Sequence, residues 1–123
     1  TVQQTSDYLT EAANTVGAQY VGALPQAGGL DAGQMVQGAL KAAVLLQVEP
    51  QWDCAAGEAA LQGLQSADTV ITLSPFKTNL DISDVLLPIA PFTETSGSFV
   101  NAEGRLQSFH AVVKPLAEAR PGW

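Results

Sequence analysis

Thiol, imidazole and amine groups are the side chains that most often hold metals or attack substrates, and this sequence has few of them. Cys54 is the single cysteine, His110 the single histidine, and only five Lys and Arg occur, scattered singly. An iron–sulfur cluster takes several thiolate ligands and a zinc site about four converging donors, so neither can be built from Cys54 and His110 alone. Asp53 and Ala55 flank Cys54 without a cation to make it a reactive nucleophile. It reads as a small, half-buried residue at the start of a helix. General acid–base work at His110 would need a carboxylate partner, for which Glu94, Glu103 and Glu118 are the candidates. In its apolar surroundings a hydrogen-bonded, structural imidazole is the expectation. The serines lack a G-x-S-x-G elbow, which removes a nucleophilic triad. No catalytic residue and no metal ligand is assigned.

Phosphate chemistry fares no better. Neither a Gly-Lys-Ser/Thr loop nor a G-x-G-x-x-G turn is present, and Gly28, Gly29 and Gly33 lie in a stretch without cations. A formal net charge of -7 excludes the basic stripe that nucleic acid requires and disfavours anionic lipid. The apolar runs 42–48 and 85–90 are far shorter than the roughly 20 residues that cross a bilayer, so no direct membrane insertion is expected.

The elements that would position these groups follow an α/β rhythm. A strand is expected near 6–10. Val16, Tyr20 and Leu24 recur at helical spacing and predict a helix over 16–24, stopped by Pro25. Asp31 is a candidate N-cap for a short helix carrying Met35, Val36 and Ala39. The run 42–48, apolar on both faces, predicts a central parallel strand. Asp53 would cap a helix over 55–66, with Ala60, Leu61 and Leu64 turned inward. Strands are expected at 69–73 and 84–88. This order implies a mostly parallel, doubly wound sheet of about four strands over 1–90. Residues 91–123 differ: segments 98–100 and 105–109 bracket Asn101-Ala102-Glu103-Gly104, a β-hairpin turn in which Gly104 should take positive φ. Pro115 and Pro121 mark an extended tail. Both ends read as cut through a larger domain, and the sheet faces and edges left bare are expected to self-associate.

In open α/β sheets ligands bind beyond the carboxyl ends of the strands. The loops 11–15, 49–53, 74–79 and 89–95 occupy those ends and carry Asn14, Glu49, Trp52, Lys77, Thr78 and Glu94. Two of these loops carry family character. The run Ser74-Pro75-Phe76-Lys77-Thr78, followed by Asp84-Val85-Leu86-Leu87-Pro88, resembles the S-x-F-x-T…ADVVLP signature of molybdopterin oxidoreductases. The segment 94–107, Glu94-Thr95-Ser96-Gly97-Ser98-Phe99-Val100-Asn101-Ala102-Glu103-Gly104-Arg105-Leu106-Gln107, is similar to the E-x-x-G-T-F-x-N-x-E-G-R-x-Q stretch of the same superfamily. Together with 13–18, 46–55 and 114–123, these runs resemble one branch, the G subunit of bacterial NADH:quinone oxidoreductase (respiratory complex I), from about Tyr8 onward.

The resemblance implies a segment of the later, cofactor-domain-like part of an iron–sulfur subunit. Its clusters would lie outside these 123 residues, and no cofactor would lie within them. It also implies a dinucleotide site without its ligand, whose rim candidates are Asn14, Glu49, Lys77 and Thr78. A carboxylate at Glu49 is electrostatically wrong for a polyphosphate. Implied partners are the remainder of the same polypeptide and other peripheral-arm subunits, on the cytoplasmic side of the inner membrane. A fragment of a true molybdenum enzyme, such as a formate dehydrogenase or nitrate reductase, and a free-standing nucleotide-binding α/β module are the alternatives.

Overall fold

A computed structural model describes residues 12–123. The strand expected near 6–10 lies outside the described residues, so the observed sheet has three strands. These are β1 (Ala42–Leu46), β2 (Thr69–Ser74) and β3 (Val85–Pro88), ordered β1-β2-β3. All pairings are parallel, with Ala42 opposite Thr69 and Ile71 opposite Val85.

Among the described residues β2 has a strand on each side and β1 lies at the edge, where a central strand was expected from the 42–48 run. Val70, Thr72 and Ser74 are buried on one face of β2, while Val44 and Leu46 of β1 are exposed. An apolar run thus marks β1 as a strand without deciding its place in the sheet. Burial of two hydroxyls on β2 is tolerated because each has a partner. Thr72 Oγ1 and Ser83 Oγ lie 2.7 Å apart, and Ser74 Oγ accepts the Phe76 N–H at 3.0 Å. Asp84 secures the return to β3: its Oδ2 accepts the Val70 N–H at 2.7 Å, and its own N–H donates to the Val70 carbonyl at 2.9 Å.

Among the described residues four short helices accompany the sheet. The first, α1 (Thr15–Tyr20), ends before the expected Leu24, because the chain turns at Gly22 with φ 72. Tyr20 and Leu24 are exposed instead of sharing a buried face. α2 (Ala32–Gln37) opens on Asp31 as expected, with a reciprocal capping box between Asp31 and Gln34. The helix expected over 55–66 starts three residues later, at Glu58, and a separate short helix precedes it. Pro50, favourable in a first turn, starts α3 (Pro50–Asp53) earlier, and Cys54 is extended. Gly57 (φ 49) then precedes α4 (Glu58–Gln65). Asp53 does not cap α4; its carboxylate accepts the Glu49 N–H at 2.6 Å. Cys54 is half-buried, between the two helices and not at the start of one. Within α4, Ala60 and Leu64 are buried and Leu61 half-buried, as the pattern required. α2 lies directly on α4 at Gly63, where an added Cβ would run into the Val36 carbonyl oxygen.

The hairpin is present as β4 (Gly97–Val100) and β5 (Leu106–Phe109), antiparallel. Asn101 organises its turn, Oδ1 accepting from the Glu103 and Arg105 N–H groups at 3.1 and 2.8 Å. Gly104 has φ 80, a region that costs other residues about 1–2 kcal/mol. Phe99 and Phe109 meet edge to face at 5.4 Å. The tail then runs back to the sheet. Ile89 and Arg120 form a parallel bridge, the Ala90 N–H donating to the Arg120 carbonyl at 2.7 Å. Among the described residues no helix is long and apolar enough to cross a membrane.

Candidate functional site

The carboxyl ends of β1 and β2 open into a cleft. After β1 the ladder continues one residue further, the Gln47 N–H donating to the Leu73 carbonyl at 2.9 Å. Gln47 itself has φ 52, sparsely populated for a residue with a Cβ. That turn leads the chain into Glu49 and α3, beside the end of β2. From β2, Pro75 and Phe76 leave along the opposite wall. Asn79, also left-handed at φ 55, ties the two walls together: its Nδ2 donates to the Val48 carbonyl at 2.8 Å. Asn tolerates this backbone region better than most side chains.

The resulting cleft holds about 280 Å³ between Gln47, Glu49 and Asp53 on one side and Ser74, Pro75, Phe76, Pro91 and Phe92 on the other. Phe76 and Phe92 stand 68% and 70% exposed, a large apolar area left in water. The charged groups in the lining are both carboxylates, Glu49 and Asp53, and no Lys or Arg contributes to it. A second cleft of about 330 Å³ lies on the other side of Glu49, among Trp52, Glu58, Thr78, Asn79 and Asp81.

Of the four rim candidates, Glu49 and Thr78 meet in that second cleft. Lys77 is exposed and lines neither cleft. Asn14 is engaged elsewhere. Its Oδ1 accepts the Val100 N–H at 2.8 Å, fastening α1 to β4, and it borders a different cavity with Tyr20 and Leu106. Glu94, a candidate partner for His110, instead accepts the Leu116 N–H at 3.1 Å. His110 is exposed and makes no hydrogen bond among the described residues, contrary to the structural imidazole expected. It borders a surface depression with Ser96, Ser98, Ser108, Phe109 and Trp123.

Sequence reasoning missed Phe76 and Phe92, although a signal was present. The dipeptide Pro-Phe occurs twice, at 75–76 and 91–92, each time just after a strand of the parallel sheet. Asn79 was missed because its partner, Val48, is distant in sequence.

A pyrophosphate-bearing cofactor needs cations or converging amide groups, and like charge against it is repulsive by roughly 4 kcal/mol at 4 Å for an effective dielectric of about 20. A cleft whose charged lining is Glu49 and Asp53 does not fit such a group. Among the described residues no group of three or more His, Cys, Asp and Glu could hold a metal ion.

The parallel sheet, its carboxyl-end cleft and the following hairpin agree with a match to the molybdopterin oxidoreductase family model over residues 2–123, and the chain belongs to that family. Among individual proteins, it is 32% identical over 107 residues to the G subunit of the NADH-quinone oxidoreductase of Mycobacterium bovis, a match covering 83% of this chain. It is 30% identical over 105 residues to the alpha subunit of the NADPH-Fe(3+) oxidoreductase of Geobacter sulfurreducens, covering 81% of this chain. A putative formate dehydrogenase of Staphylococcus aureus is 36% identical over 60 residues, or 48% of the chain. These matches span 13%, 12% and 6% of the respective relatives.

Proposed function

We propose that this chain is a structural segment of an oxidoreductase subunit akin to the G subunit of NADH-quinone oxidoreductase, supporting electron transfer that runs through clusters outside these residues. Its cleft is read as a dinucleotide site that has lost its ligand, and its partners as the rest of that polypeptide and other peripheral-arm subunits. The observation that carries this reading is the lining of the cleft: Glu49 and Asp53 stand where a polyphosphate would need positive charge. The similarity to a G subunit over 83% of the chain supports it.

The test is elemental and nucleotide analysis of the purified protein. Acid release should yield no guanine nucleotide, and mass spectrometry no stoichiometric molybdenum or tungsten. Titration with GDP, as a probe for the nucleotide half of the cofactor, should give no saturable binding. About one equivalent of molybdenum with guanine nucleotide would overturn the reading. It would favour a second one, a formate-dehydrogenase-type fragment, for which the local 36% identity speaks. Formate-dependent dye reduction would distinguish that enzyme directly.

A further inference from the structure

The cleft between α3 and the two Pro-Phe loops has a composition that suits a ligand other than a nucleotide. We infer that it receives an extended peptide of a partner protein that carries an Arg or Lys side chain next to an apolar one. This rests on the reading of the site as free of dinucleotide. Two features select that occupant. Phe76 and Phe92, both about two-thirds exposed, leave a large apolar area in water. Glu49 and Asp53 supply negative charge in the same cleft, without a cation in the lining to neutralise it. Exposed aromatic side chains beside carboxylates are complementary to a cationic–apolar side-chain pair. Arg would also gain from the aromatic faces, since a guanidinium is attracted to a ring quadrupole.

The geometry is held ready for a ligand. Asp53 is fixed by the Glu49 N–H at 2.6 Å, and Asn79 ties the loop after β2 to the loop after β1 through Val48 at 2.8 Å. Glu49 makes no side-chain hydrogen bond among the described residues, so its carboxylate is free to accept one. A cleft of about 280 Å³ accommodates one or two side chains, not a folded domain edge. The partner element is therefore a strand or loop segment lying across the cleft, with two side chains directed inward.

The purified protein is to be panned against a phage-displayed library of random heptapeptides, and selected peptides re-measured as fluorescein conjugates by anisotropy. Selected sequences should pair Arg or Lys with Leu, Phe or Met. Exchanging that cation for Glu in the peptide should weaken binding about tenfold or more, and raised salt should weaken it as well. Glu49→Lys should reverse the preference, and Phe92→Ala should weaken cationic and anionic peptides alike. Circular dichroism and melting of each variant separate lost binding from lost folding.

Selection of acidic peptides, no enrichment, or identical selections by the wild type and Glu49→Lys would overturn the inference. In those cases the dinucleotide-free reading stands on its own metal and nucleotide analysis. Displacement of the peptides by GDP at micromolar concentration would overturn both. Light scattering that shows a dimer dissolved by Glu49→Lys would overturn it too, assigning the cleft to a second copy of this chain instead.

Discussion

In the parallel sheet, Val70 and Thr72 of β2 and Ala60 of α4 are sealed at 0–1% exposure. In the hairpin, Val100 is the one buried residue between 97 and 109, and no residue between 110 and 123 is buried. The first region is held by the paired strands and by side chains buried on β2 and α4. The second is held by single directional bonds: Asn14 to Val100, Glu94 to Leu116, and the Trp123 indole N–H to Thr95 Oγ1 and the Ser96 carbonyl at 3.2 and 3.3 Å. Diffuse burial makes a region cooperative. Discrete polar contacts leave it separable, able to open locally without global unfolding.

Substitutions can break that contrast in order of size. Gly63→Val should be the most severe, because a Cβ would enter the Val36 backbone and force α2 off α4. A loss of about 3 kcal/mol is expected in urea unfolding, with exchange protection falling across β1 and β2 together. Asn14→Ala leaves the Val100 N–H without its acceptor in a part-buried position, for about 2 kcal/mol. Its signature is lost protection in β4 while β2 stays protected. Equal loss in both strands would show that hairpin and sheet form one unit. Gly104→Val places a β-branched residue at φ 80 and should destabilise the hairpin by about 1–2 kcal/mol. Unchanged exchange at Arg105 and Leu106 would count against the role given to this turn. Trp123→Phe removes only the indole donor. A shift below about 1 kcal/mol is expected, with the amides of Ala90 and Arg120 reporting whether the tail still docks.

The same contrast explains what could be read in advance. β2 and β3 were legible because β-branched and apolar residues run without interruption, and the hairpin because Asn101 and Gly104 have the chemistry of its turn. α2 was legible because Asp31 is an N-cap residue type just ahead of Met35 and Val36. The break at 54–57 was not, since Ala55 and Ala56 favour a helix and only the extended Cys54 and positive-φ Gly57 interrupt it. β1 is a strand, as its apolar run predicts, but among the described residues β2 alone pairs with it, because apolar faces do not state which neighbours cover them. Of the rim candidates, Glu49 and Thr78 come together beyond the strand ends, while Asn14 is drawn to a hydrogen bond with Val100 that sequence distance conceals. The exposure of Phe76 and Phe92 depends on three loops converging, and no local pattern encodes it.

The bridge between Ile89 and Arg120 makes everything from 91 to 119 an excursion that leaves the sheet and returns to the rung where it departed. Its two ends are fixed a strand's width apart whatever happens between them. Closing such a loop costs only about 0.6 kcal/mol more for each doubling of its length. The hairpin is therefore in a position to be shortened, extended or exchanged for another module at little expense to the sheet. A graft that keeps 88–90 and 119–121 while replacing the interior by a Gly-Ser linker should leave the melting of the sheet nearly unchanged, and that tolerance would make this junction a natural place for new surface to be added to an old core.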